Sequence, residues 1–152
     1  MDSSVDIRLC AECHCLAARR TARAITRAFD ERLRKHGLRA TQFSVLVALE
    51  LSGAAPISAL AEALGMERTT LTRSAALLEK RGWVTSGGTD DRREHQLRLT
   101  ASGRRKLISA FAAWKAAQDA TGAELAEKGS ARTLTKRARR ASAASRGSRQ
   151  PK

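Results

Sequence analysis

No run of about 18 apolar residues occurs in the 152-residue chain, and charged side chains interrupt every long segment, so a transmembrane helix is not expected. The opening stretch, MDSSVDIRLC, has acidic residues and no apolar core of the kind a secretory signal needs. A cytoplasmic protein with no membrane partner is the expectation. Cysteine is scarce: Cys10, Cys13 and Cys15 lie within six positions, an odd and clustered set that does not form a disulfide framework. The signatures of enzymes are missing too. There is no Gly-rich phosphate loop, no H-E-x-x-H and no G-x-S-x-G. Cys13, His14 and Cys15 are adjacent, and neighbours on a helix point in different directions, so they do not form a nucleophile–base pair. Neither an enzyme nor a cofactor-dependent protein is expected. Three ligands this close suit one tetrahedral metal site poorly, and there is no second cysteine pair to complete one.

What remains is a chain of single-domain length with 42% hydrophobic residues, enough for a modest core. Its formal net charge is +14, which favours polyanionic partners. That charge is unevenly placed. Residues 128–152 hold nine basic side chains and no acidic one, leaving +5 for residues 1–127. This tail is rich in Ala, Ser, Arg, Lys and Gly, with Leu134 its one large aliphatic. Such a composition predicts disorder or a frayed helix.

Hydrophobic spacing outlines the rest. Leu16, Ala18, Ala22, Ile25, Phe29 and Leu33 recur mostly three or four apart, predicting an amphipathic helix over residues 10–35 that ends at His36-Gly37. Thr41 is a candidate N-cap for a helix over 42–51, with Phe43, Leu46, Val47 and Leu51 as its buried stripe. Pro56 suits the first turn of a short helix bearing Ile57, Leu60, Ala61 and Leu64. The turn Gly65-Met66-Glu67 leads to a helix over 68–81, with Leu71, Ala75 and Leu78 inward and Leu77 a further candidate for that face. The period then changes from 3.6 to 2. Trp83-Val84-Thr85 and Gln96–Thr100 predict a β-hairpin with a charged, glycine-containing tip. Thr100 caps a last helix over 101–126, whose expected stripe is Leu107, Ile108, Phe111, Trp114, Ala117 and Leu125. The predicted divisions are 1–37, 38–100, 101–127 and the tail 128–152.

Helix, turn, helix and hairpin in under about fifty residues is the winged helix-turn-helix pattern. The expected fold is mainly α with a small β-hairpin, flanked by dimerisation helices. A helix fits the major groove of double-stranded DNA, and its N-terminal side chains reach base edges. The helix over 68–81 opens with Arg68, Thr69 and Thr70 and continues with Thr72 and Arg73. Arg can bond guanine bidentately, and Thr offers a hydroxyl and a methyl group. Arg92 and Arg93 fall at the hairpin tip, where a guanidinium can enter the minor groove. Alone, either set reads as an ordinary solvated surface; together, flanking one turn, they read as a DNA-binding pair.

Residues 40–103 resemble the MarR family of regulators. The segments that carry the likeness are Ala40-Thr41-Gln42-Phe43-Ser44-Val45-Leu46, Arg68-Thr69-Thr70-Leu71-Thr72-Arg73, and Leu78-Glu79-Lys80-Arg81-Gly82-Trp83-Val84. Asp91-Arg92-Arg93, Leu99-Thr100 and Gly103 follow in register. The resemblance implies a homodimer on a pseudo-palindromic operator, usually a repressor released by a small-molecule effector or an oxidant. It implies that Arg93 enters the minor groove and that Asp91 supports the wing. Phe29, Phe43 and Trp114 are candidates for the wall of an effector cleft. Leu16, Ile25, Phe29, Phe111 and Trp114 are candidates for dimer contact.

Family members normally end in a further apolar helix; residues 128–152 lack its pattern. Cys15, counted back from Gln42, falls where a peroxide-sensing branch of the family carries its reactive thiol. That branch also uses tyrosines, and this chain has none. Cys10, Cys13 and Cys15 are therefore candidate redox residues, with simple packing near the dimer interface as the plainer alternative. A non-specific, tail-driven nucleic-acid-binding protein is the remaining alternative.

Overall fold

The computed structural model describes residues 6–87 and 96–127. It contains five α-helices and a three-stranded antiparallel sheet among these residues: α1 (His14–Leu33), α2 (Ala40–Ser52), β1 (Ala55–Pro56), α3 (Ile57–Ala63), α4 (Arg68–Lys80), β2 (Val84–Gly87), β3 (Gln96–Leu99) and α5 (Ala101–Glu127). The described residues separate into two compact units, one within 28–117 and the other made of 6–27 with 118–127.

The larger unit carries the core. Leu33, Leu38, Val45, Leu46, Leu49, Leu60, Leu71, Leu78, Val84 and Leu97 are buried there. Full burial of each such aliphatic contributes about 1.5–3 kcal/mol relative to exposure, so they are the main source of stability. Helix α2 differs from its predicted form. It starts at Ala40, not Gln42, so Thr41 lies inside the first turn and does not cap it. Instead Gln42 Oε1 accepts the Arg39 N–H at 3.0 Å, and Asp30 Oδ1 accepts the Ala40 N–H at 2.7 Å. Two N–H groups that a helix start would leave bare are thereby satisfied, one of them from α1. The buried face of α2 is also wider than the predicted stripe. Gln42, Val45 and Leu49 are buried beside Phe43 and Leu46, whereas Leu51 is 82% exposed.

The sheet has the order β1-β3-β2, so the predicted hairpin gains a third strand. Ala55 pairs with Leu97 and Pro56 with Gln96. Proline lacks an N–H, and this two-residue edge is a position that tolerates it. Pro56 thus precedes α3 as its N-terminal flanking residue. On the other side Val84 faces Leu99, Thr85 faces Arg98, Ser86 faces Leu97 and Gly87 faces Gln96.

Helix α5 starts where Thr100 predicts it: Thr100 Oγ1 accepts the Gly103 N–H at 3.0 Å. Its buried face, however, is made mostly of small residues, with Leu107 the large exception. Gly103, Leu107, Ala110, Ala113 and Ala117 are buried, while Ile108 is 67% and Phe111 52% exposed. The predicted stripe of large residues therefore fails at Ile108 and Phe111. The position of Gly103 explains the close approach. A Cβ there would lie 1.9 Å from the Trp83 carbonyl oxygen, a backbone atom that cannot swing aside.

In the smaller unit, a 3-10 turn (Ile7–Glu12) precedes α1, and Cys13 separates the two. The continuous helix predicted from Cys10 is therefore broken at its start. The Arg8 side chain and backbone N–H hold the Asp6 carboxyl below its usual range. From Cys10 to Arg20 every residue is exposed; of the predicted α1 stripe only Phe29 and Leu33, which belong to the larger unit, are buried. The tail 128–152 lies outside the described residues.

Candidate nucleic-acid interface

Helices α3 and α4 pack on each other across a tight turn. Gly65 takes the left-handed conformation there (φ +59°), which a glycine adopts without steric cost. The Met66 N–H then donates to the Ala61 carbonyl at 2.8 Å and closes the turn. This geometry sets the start of α4.

Along α4 the buried side chains are Leu71, Ser74, Ala75 and Leu78, whereas Leu77, the further inward candidate, is 50% exposed because it falls one position off that stripe. Arg68, Thr69, Thr70, Thr72 and Arg73 are all exposed. The structure therefore brings all five predicted residues of this helix onto its solvent side within its first two turns. No acidic side chain interrupts that stretch. The Thr72 hydroxyl donates to the Arg68 carbonyl at 2.8 Å. Glu67, the residue before the helix, sits where a negative charge favours the positive end of the helix dipole.

The hairpin is anchored to α4. The backbone N–H of Ser86 donates to Glu79 Oε1 at 2.9 Å, and the Ser86 hydroxyl donates to the same oxygen. At the other strand, the Thr100 hydroxyl donates to the Gly82 carbonyl at 2.7 Å and the Thr100 N–H to the Trp83 carbonyl at 3.1 Å. Trp83 is half-buried and has two cations over its ring, Arg81 and Lys106, each 5.0 Å from the centroid. Neither Ser86 nor Lys106 stood out in the sequence, and Glu79 did so only as part of a matched segment without a role, since each acts through a partner distant along the chain. Asp91, Arg92 and Arg93 lie outside the described residues. The strands that lead to them are in place, and Arg98 adds an exposed cation on the ribbon.

A second feature of the larger unit is an apolar cavity of about 590 Å³. Its walls include Phe43, Val47, Leu51, Leu107, Phe111 and Trp114. The Trp114 ring is stacked near Phe43 (centroids 6.0 Å apart, planes at 13°) and near Phe111 (5.6 Å, 27°). Phe29, the third candidate for such a wall, is buried in the core and does not line this cavity.

Cys10, Cys13 and Cys15 are free and exposed. No group of three or more His, Cys, Asp or Glu side chains among the described residues could hold a metal ion. No helix among them is long and apolar enough to cross a membrane.

The arrangement of α3, α4 and the two-stranded ribbon defines a winged helix-turn-helix protein. Residues 38–95 match the model of the MarR family. Among curated relatives, the chain is 34% identical over 86 residues to YwoH of Bacillus subtilis (strain 168), described as an uncharacterised HTH-type transcriptional regulator. It is 42% identical over 77 residues to the transcriptional repressor MprA of Escherichia coli (strain K12). These stretches take in 57% and 49% of this chain, and 63% and 44% of the relatives, so less than two thirds of either relative is spanned.

Solved structures match over a longer span. The M. tuberculosis regulator MosR is 32% identical, with a TM-score of 0.70 over 91% of this chain and 98% of that one. MosR in complex with DNA is also similar, at 34% identity and TM-score 0.66, over 91% of this chain and 100% of that one. So is overoxidised AbfR bound to DNA, at 25% identity and TM-score 0.64, over 72% of this chain and 84% of that one. The chain belongs to the MarR family, a family of transcriptional regulators and not of enzymes.

Proposed function

We propose that this protein is a sequence-specific DNA-binding repressor that acts in the cytoplasm as a homodimer on a pseudo-palindromic operator. The observation that carries this reading is the solvent face of α4, where Arg68, Thr69, Thr70, Thr72 and Arg73 stand clear of the core on a helix held between α3 and the ribbon. Such a helix presents base-reading side chains at the depth of a major groove, and Arg92 and Arg93 on the ribbon would reach the flanking minor groove. Asp91 would steady that ribbon. The likeness to MosR in its DNA complex and to the transcriptional repressor MprA supports the same reading.

Dimerisation has its own support. Leu16, 40% exposed, and Ile108 and Phe111 stay uncovered on the single chain. A second copy would shield them. The apolar cavity by Trp114 is the proposed effector site. Its size falls within the range of about 300–1,000 Å³ typical of small-molecule pockets.

A gel-shift against the upstream intergenic DNA, with excess non-specific competitor, tests the main reading. A discrete complex is expected for the native chain and not for Arg73→Ala or Arg93→Ala. Indiscriminate binding that neither change affects overturns it and moves attention to the basic tail.

Redox release is the second reading. It is favoured by the exposure of all three free thiols and by the likeness to AbfR in an overoxidised state. Peroxide should then abolish operator binding, and thiol reductant should restore it. A Cys15→Ser protein that still responds to peroxide rules out Cys15 as the sensor.

A further inference from the structure

A second, smaller cavity of about 330 Å³ lies at the far end of α4 from Arg68. Arg34, Arg39 and Arg81 line it, together with Asp30, Gln42 and the Gly37 backbone. Three arginines and one aspartate thus line one concave surface. That carboxylate is already engaged. Asp30 Oδ1 accepts the Ala40 N–H at 2.7 Å, and Asp30 Oδ2 is 3.5 Å from Arg39 Nη1. Among the described residues, no carboxylate lies within ion-pair distance of Arg34 or Arg81.

Arg81 is also held in place. It donates to the Gly37 carbonyl and stacks on Trp83, two partners that orient the guanidinium without neutralising it. The cup therefore has a surplus of positive charge, part of it pre-positioned, above the buried floor of Leu38. Concave walls concentrate the field of such charges, and guanidinium forks match the oxygen geometry of phosphate.

We propose that this cup binds a phosphate-like oxyanion. The anion comes either from a free phosphate-bearing small molecule or from a backbone phosphate of bound nucleic acid. The second source rests on the DNA-binding reading above; the first does not.

Two measurements on the full chain separate these cases. In the first, inorganic phosphate is titrated at constant ionic strength, with chloride as the control anion. The arginine Nε–H signals and the Gly37–Ala40 amides are followed by NMR. In the second, the salt dependence of operator binding is compared between the native chain and the Arg34→Ala/Arg39→Ala double variant. Both side chains are exposed, and Arg34→Lys/Arg39→Lys serves as the charge-keeping control.

A saturable shift at these signals, with half-saturation raised about tenfold for each guanidinium removed, identifies the free anion as ligand. No shift with phosphate, but a salt slope smaller by about 2 in the alanine variant and restored by lysine, identifies the nucleic-acid phosphate. Phosphate shifts that persist unchanged in the double alanine variant overturn the proposal. The absence of both phosphate shifts and a slope change overturns it as well. Loss of operator binding by Arg73→Ala with phosphate binding intact would leave both readings standing; failure of all operator binding with saturable phosphate shifts would remove only the DNA reading.

Discussion

Helices α4 and α5 are built in opposite senses. In α4 the large aliphatics Leu71 and Leu78 are buried and the exposed start is arginine and threonine. In α5 the buried positions include Gly103, Ala110, Ala113 and Ala117, while Ile108 and Phe111 face outward. The first pattern belongs to a helix whose outer face is at home in water or against a polyanion. The second suits a helix that approaches its own core closely and keeps apolar surface for something else. The same fold thus exposes a polar, basic face on one helix and an apolar one on another.

The comparison breaks most sharply at Gly103. Gly103→Ala should destabilise the protein by about 3 kcal/mol or more, because the added methyl meets the Trp83 backbone oxygen. Urea unfolding checks this, and a near-native midpoint would show that α5 can retreat freely. Leu71→Ala should cost about 2–5 kcal/mol by opening a void under α4. Arg73→Ala should leave unfolding within about 0.5 kcal/mol of native. It should also weaken operator binding by about 1–3 kcal/mol, measured by fluorescence anisotropy. Equal loss of stability and affinity would mean that the outer face of α4 is structural. Glu79→Gln should cost about 1 kcal/mol by weakening the bonds from Ser86, seen as earlier hydrogen exchange at the ribbon amides. Ile108→Ser should barely change unfolding of the single chain. It should nonetheless raise the dimer dissociation constant in sedimentation equilibrium; an unchanged constant would place the apolar contact elsewhere.

How much of this was legible in the sequence follows from the range of each interaction. The inward set of α4 could be read because Leu71, Ala75 and Leu78 are spaced by the helix period, although the adjacent Leu77, an equally apolar candidate, is exposed. Strand β1 could not, since two residues have no period and one of them is proline. The Asp30 contact to Ala40 spans ten positions and Glu79 to Ser86 seven, distances at which no local pattern signals a partner. Leu51 and Ile108 show a further limit. Periodicity tells which residues share a face, but not whether anything covers that face. Gly103 was visible as a matched position, while its reason, contact with a carbonyl twenty residues earlier, needed the fold.

If α4 reads bases as proposed, the bond from Thr72 to the Arg68 carbonyl bears on which base it would accept. With its one proton turned back into the helix, the Thr72 hydroxyl meets an approaching base as an acceptor beside a methyl group. In a major groove it can take a hydrogen bond from the amino group of cytosine or adenine, or rest its methyl against that of thymine. To donate to the O6 or N7 of guanine it would first have to give up the bond to the Arg68 carbonyl. At that step, α4 would discriminate by the direction of a single O–H bond rather than by charge.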